Sequence, residues 1–261
     1  MGTELLDPIP IWLAPILFAA AGLLLYEAGF RVGRWYQRRT PGEQEGPTDM
    51  IVGSLLALMA FLLAVTMGFA SDRFDARRGL VLDEANAITV AYHQADYLAE
   101  PAAGQLKELL REYAPLRVLP ADAAQLAANL QRGAELRDQM WAIEVAAVRS
   151  GQNSDLISSL GNSLTELATL NQSRVVGTLY ARVPEPLVVL LVFGSILSLG
   201  TVGYSAGLRE RRSVITAVVL VVAMGAVLTL LMDIDRPGEG MINASQQALI
   251  DVQQQIGSPS P

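Results

Sequence analysis

Carboxylates and guanidinium groups gather at two places in this sequence. Asp72, Arg73, Asp75, Arg77 and Arg78 follow a long apolar run at once, with Asp83 and Glu84 one to two helical turns on, and Asp233, Asp235 and Arg236 follow another. At the first place the charges can attract ions to a pore mouth or pair off as anchors where a helix leaves a membrane. At the second, two carboxylates at i and i+2 offer too few oxygen ligands for a calcium loop, and a local ion pair with a turn is the simpler reading. The lone His93 shares a helical face with Asp96 and Glu100, but zinc asks for three or four ligands and there is no second histidine. Cysteine is absent, which excludes thiolate metal sites and thiol nucleophiles. No nucleophile elbow, phosphate-binding glycine loop or paired-carboxylate motif occurs. The expectation is therefore no catalytic residue, no metal, no cofactor and no enzyme.

A second class of spacing involves small and hydroxyl side chains inside apolar runs. Gly53, Ala57, Ala60, Ala64 and Gly68 recur every three or four residues, with Phe61 beside them, and Gly194, Ser198, Thr201 and Ser205 fall at i, i+4, i+7 and i+11. A seam of small residues lets helices approach closely, within one chain or around an oligomer axis. The hydroxyl stripe has two readings: close packing with the hydroxyls bonded to the backbone, or the lining of a hydrated path. Few ionisable groups lie deep in these runs, and Glu27 sits at a boundary, so the charge relay of a proton-driven pump is missing.

The elements that must position these groups are four apolar runs, Ile9–Tyr26, Met50–Ala70, Leu187–Leu208 and Val214–Met232. Each is about 20 residues long, enough to cross ~30 Å of hydrocarbon as a helix. Lipid offers the backbone no hydrogen-bonding partner and no barrel-like alternation is present, so the runs are expected to be transmembrane helices. The composition is 51% hydrophobic, and its clustering into four blocks decides for a membrane protein. A net charge of −7 without a long basic stretch gives nucleic acid no electrostatic footing. Met1–Pro8 carries no Lys or Arg, so the first run is expected to be retained rather than cleaved as a signal. The expected organisation is all-α: residues 1–70 with the first two spans, an extramembrane helical bundle over 71–185, the last two spans over 186–232, and a tail over 233–261.

Between the spans the apolar period is helical throughout. Phe74, Val81, Ala85, Ile88 and Tyr92 carry the second span onward as a stalk as far as Pro101. Leu106, Leu109, Leu110 and Tyr113 mark a second helix, broken at Pro115 and Pro120. Asp122 caps a third with Leu126, Leu130, Leu136, Met140, Ile143 and Ala147 inward, stopped at Ser150-Gly151-Gln152-Asn153. Ser154 opens a fourth, from Asp155 towards Arg182, with Leu156, Leu160, Leu164, Leu167, Leu170 and Val175 along one side. In the tail, residues 245–256 are expected to form a short helix.

Arg31, Arg34, Arg38 and Arg39 follow the first span, and Arg209, Arg211 and Arg212 fill the turn between the last two. This favours cytoplasmic loops there, with both termini and the central domain outside. Arg73, Arg77, Arg78, Arg182 and Arg236 at the opposite ends reduce the bias.

The run Arg77-Arg78 leading into Asp83-Glu84-Ala85-Asn86-Ala87-Ile88, and Asp235-Arg236-Pro237 with Gly240 after the last span, resemble the bestrophin-like domain family of bacteria and plants. The four-span layout with a helical insert fits the same family over most of the chain. The resemblance implies a homo-oligomeric ion channel of the bacterial inner (plasma) membrane, with the second span flanking a central pore. It also implies a cytoplasmic helical part, opposite to the side the arginines favour. Bestrophin pores carry an aromatic-rich neck, whereas the second span here offers Phe61 and Phe69. The expected function is an anion-conducting channel. Gly53, Ala57, Ala60, Phe61, Ala64, Gly68, Ser198, Thr201 and Ser205 would line its pore, and Asp72, Arg73, Asp75, Arg77, Arg78, Asp83, Glu84, Asp233, Asp235 and Arg236 would stand at its mouth. The partners would be lipid, inorganic ions and further copies of the chain. Two alternatives stand beside it: a cation-selective channel with an acidic mouth, and a sensor or scaffold whose helical domain binds a ligand or partner protein.

Overall fold

The structure, a computed structural model, describes residues 10–40, 46–120, 122–151, 154–179, 183–235 and 241–257. In chain order these form α1 (Ala14–Arg39), α2 (Gly46–Gln94), a 3-10 turn (Ala95–Tyr97), α3 (Ala102–Leu116), α4 (Ala123–Arg149), α5 (Ser154–Leu179), α6 (Glu185–Leu208), α7 (Val214–Asp235) and α8 (Gln247–Gly257). No strand occurs among the described residues. The chain divides into two compact units, one of residues 1–73 with 182–243 and one of residues 74–181 with 244–261.

The first unit holds α1, the start of α2, α6 and α7, which supply four helices long and apolar enough to cross a membrane. The run expected at Ile9–Tyr26 is helical only from Ala14, with a proline in the first turn of α1, where its missing N–H costs nothing. The helix then runs on through the arginine-bearing turns to Arg39. Helices α1 and α6 pack closely. A Cβ on Gly29 would overlap the Gly200 carbonyl, and one on Gly203 would overlap that of Tyr26, so the two backbones meet as only small residues allow. Phe18, Met59, Leu63, Leu191, Leu199, Val221, Met224 and Leu228 form the buried core of this unit. Leu24, Phe193, Ile215 and Val219 point outward. In water such a surface would be a liability; in hydrocarbon it is the expected exterior.

The second unit is built from the later turns of α2 with α3, α4, α5 and α8. Val81, Ala85, Ile88 and Tyr92 of α2 are buried, as their spacing predicts, and join Leu106, Leu110, Tyr113, Leu136, Met140, Leu160 and Leu167 in one core. Asp122 caps α4, its side chain accepting from Ala124 N at 3.1 Å, and Gly151 stops it with a left-handed φ of 75°. One expected core residue is out of place: Leu156 is exposed and Ile157 is buried in its stead, one step round the first turn of α5. The helix expected at 245–256 is α8. An isolated helix this short is marginal in water, but Leu249, Val252 and Ile256 are buried, and each buried aliphatic side chain stabilises it by roughly 1.5–3 kcal/mol. Arg111 Nε closes its end by donating to Ile256 O at 2.8 Å.

Candidate functional site

Helix α2 is continuous from Gly46 to Gln94, and its two sides differ sharply. Met59, Leu63, Thr66 and Ala70 are buried, with Met59 filling the space left by Gly194 of α6. The opposite side carries Gly53, Ala57, Ala60, Phe61, Ala64 and Gly68, all exposed in the single chain. Phe61 is 63% exposed, and a Cβ added at Gly53 or Gly68 would meet nothing within 4 Å. The small residues therefore form an uncovered stripe along one helix, set by the helical period alone.

Ser71 and Asp72, at the end of the first unit's part of α2, are exposed, and so are Asp75, Arg78 and Asp83 in the second unit's part. Arg73 is half-buried and Arg77 is buried on the other side. Three of these exposed residues are carboxylates and one is a guanidinium.

Glu84 is elsewhere. It is 0% exposed and accepts from Arg117 Nε through Oε1 and from Arg174 Nη1 through Oε2, both at 2.6 Å. Arg174 also donates to Arg117 O at 2.8 Å and to Gln246 Oε1 at 2.6 Å. Burial pulls the Arg174 guanidinium below its ordinary range, opposed by Glu84. The sequence carries signals for two of these partners: Glu84 falls on the apolar stripe between Val81 and Ile88, and Arg174 lies one turn beyond Leu170. For Arg117 there is no comparable signal.

In α6 the hydroxyl stripe is tied to protein. Ser198 is 0% exposed and donates to Gly194 O at 2.7 Å, and Thr201 donates to Ser198 O at 2.8 Å. Ser205 reaches α2 instead, donating to Asp49 Oδ1 at 2.7 Å, and Asp49 pairs with Arg209. At that same end Glu27 pairs with Arg31 at 3.0 Å and Arg212 at 2.6 Å.

Asp233 and Asp235 are buried at the end of α7. The Asp233 oxygens accept from the backbone N–H groups of Met241 and Ile242, each at 2.9 Å, and Asp235 accepts from that of Val183 at 2.8 Å. These carboxylates fasten the chain segments around the last span. Arg236 lies outside the described residues. His93 is exposed and meets Tyr92 edge-on at 6.0 Å.

Fold and surface together define an all-helical integral membrane protein. The bestrophin-like domain family model matches residues 24–249, and the chain belongs to that family. Similar structures include a bacterial bestrophin homolog from Klebsiella pneumoniae, with a TM-score of 0.69 at 15% identity over 93% of this chain and 97% of that one. A second structure of a bacterial bestrophin homolog from the same organism gives 0.66 at 14% identity over 92% and 96%. A crystal structure of a membrane protein gives 0.69 at 15% identity over 92% and 97%. At such identities the likeness is one of fold. No curated protein sequence matches the chain.

Proposed function

We propose that the protein is a homo-oligomeric ion channel of the bacterial inner (plasma) membrane. In this reading α1, α2, α6 and α7 span the bilayer, residues 71–185 form a helical domain inserted between the second and third spans, and several copies of α2 surround a central pore. The observation that carries it is the uncovered stripe of Gly53, Ala57, Ala60, Phe61, Ala64 and Gly68. In the single chain α1 packs against α6 and the α2 stripe is left uncovered, and small side chains on an outward face let copies of one helix gather about an axis. Membership of the bestrophin-like family supports the same reading.

For the ion, anion conduction follows from the family resemblance. The geometry favours a second reading, cation conduction, because the exposed side of α2 beyond the stripe carries Asp72, Asp75 and Asp83 against Arg78, with Arg77 buried away from it. Repeated around an axis, that excess concentrates cations at the mouth. Glu84, Asp233 and Asp235 are bonded within the protein and add nothing to that exposed charge. The arginine-bearing ends of α1 and α6 are assigned to the cytoplasm. A chain without cysteine suits the test: Arg211→Cys should react with an impermeant maleimide only after the cells are permeabilised.

The channel is tested by reconstituting the purified protein in planar bilayers under asymmetric chloride salts, with Phe61→Ala alongside. Currents altered by the substitution support it, and the reversal potential assigns the ion. A monomeric protein silent under varied voltage, pH and calcium would overturn it and leave the sensor or scaffold.

A further inference from the structure

We propose that Arg117, with the pocket beside it in the helical unit, binds a small monovalent inorganic anion of the halide type. The site is separate from the α2 stripe and does not rest on the channel reading. Its first ground is charge. Glu84 is one carboxylate between two guanidinium groups, and the side chains of Arg117 and Arg174 are each 5% exposed. One positive charge is left over on two nearly buried side chains, and it has no counter-charge within the cluster.

The second ground is hydrogen bonding. Arg174 donates to Glu84, to Arg117 O and to Gln246, whereas Arg117 uses only Nε, towards Glu84. Among the described residues no acceptor meets its terminal amino groups. The helix end beside it makes no demand on them, because the Ala114 and Pro115 carbonyls already accept from the backbone N–H groups of Arg117 and Val118.

The third ground is space. A cavity of about 30 Å³ is lined by Arg117, Arg174, Leu119, Leu126, Leu130 and Val175. That is more than the ~10–15 Å³ needed for one water and room for one halide ion. Apolar walls supply few hydrogen bonds, which disfavours a strongly hydrated, multiply charged anion such as phosphate. A single weakly hydrated charge facing a guanidinium fits the arrangement.

Bromide is the probe. Crystals of the full-length protein grown in sodium bromide should show an anomalous peak at hydrogen-bonding distance from the Arg117 terminal nitrogens. In detergent, replacing sodium gluconate by sodium bromide at equal ionic strength should raise Tm, by about 3 °C where bromide is roughly fivefold above its Kd, and Arg117→Gln should abolish the rise. If that variant does not fold, the wild-type peak and melting difference decide together. A peak without a melting difference means an adventitious ion only and overturns the proposal. A melting difference without a peak places bromide elsewhere and overturns it equally.

Discussion

Glu84 and Arg174 stand 90 positions apart and meet at 2.6 Å, the carboxylate wholly buried and the guanidinium nearly so. With Arg117 on the other oxygen, this contact ties α2 to α3 and α5 inside the helical unit. Such a network adds little over an apolar core of the same shape, yet losing one member leaves charge stranded in the interior.

Glu84→Gln should therefore destabilise the protein by roughly 3–5 kcal/mol, read as a lowered Tm by circular dichroism in detergent. Combining it with Arg174→Met should recover part of the loss, since the two sites share one interaction. Equal melting of wild type and Glu84→Gln would refute the account.

Two glycines in the apolar helices should behave oppositely. Gly203→Ala drives a methyl group into the Tyr26 carbonyl, and a backbone atom cannot turn aside as a side chain can. It should cost about 1–3 kcal/mol, seen as a lower Tm and a loosened α1–α6 pair. Gly53→Ala meets open space and should leave stability within about 0.5 kcal/mol while altering single-channel conductance.

Asp75→Asn removes an exposed charge from the α2 face. The cation-to-anion permeability ratio in planar bilayers should fall by about twofold, and more weakly at high salt, where screening shortens the reach of the carboxylate. A ratio that does not move would remove Asp75 from the mouth.

Tyr113 is wholly buried, and burial raises its phenol above the ordinary value, partly offset by Arg117. The folded chain keeps this proton beyond the pH at which the unfolded chain releases it. Its contribution to stability is thus complete below about pH 10 and is lost as pH rises through the higher folded value. Tyr113→Phe should flatten that alkaline decline in thermal melts while leaving other transitions in place.

Some of this is legible in the sequence alone. The apolar runs announce membrane helices because lipid permits a backbone little else, and Val81, Ala85, Ile88 and Tyr92 announce a buried face because the helical period sorts side chains by side. Asp122 and Gly151 mark ends through local chemistry. Leu156 misled because the first turn of a helix has only one neighbouring turn to fix its phase.

The charges were less legible. Asp72, Asp75, Arg77, Arg78 and Glu84 crowd one stretch and look alike in one dimension, yet a step of about 100° per residue sends Arg77 and Glu84 inward and leaves Asp75 and Arg78 outside. Nothing local brings Arg117 and Arg174 to Glu84. The sequence by itself determined an all-helical membrane protein, because hydrophobic length and period are local properties. Only the tertiary structure decided which charges pair and which remain exposed, because pairing depends on contacts between residues far apart in the chain, and burial, not residue type, sets what a charge can do.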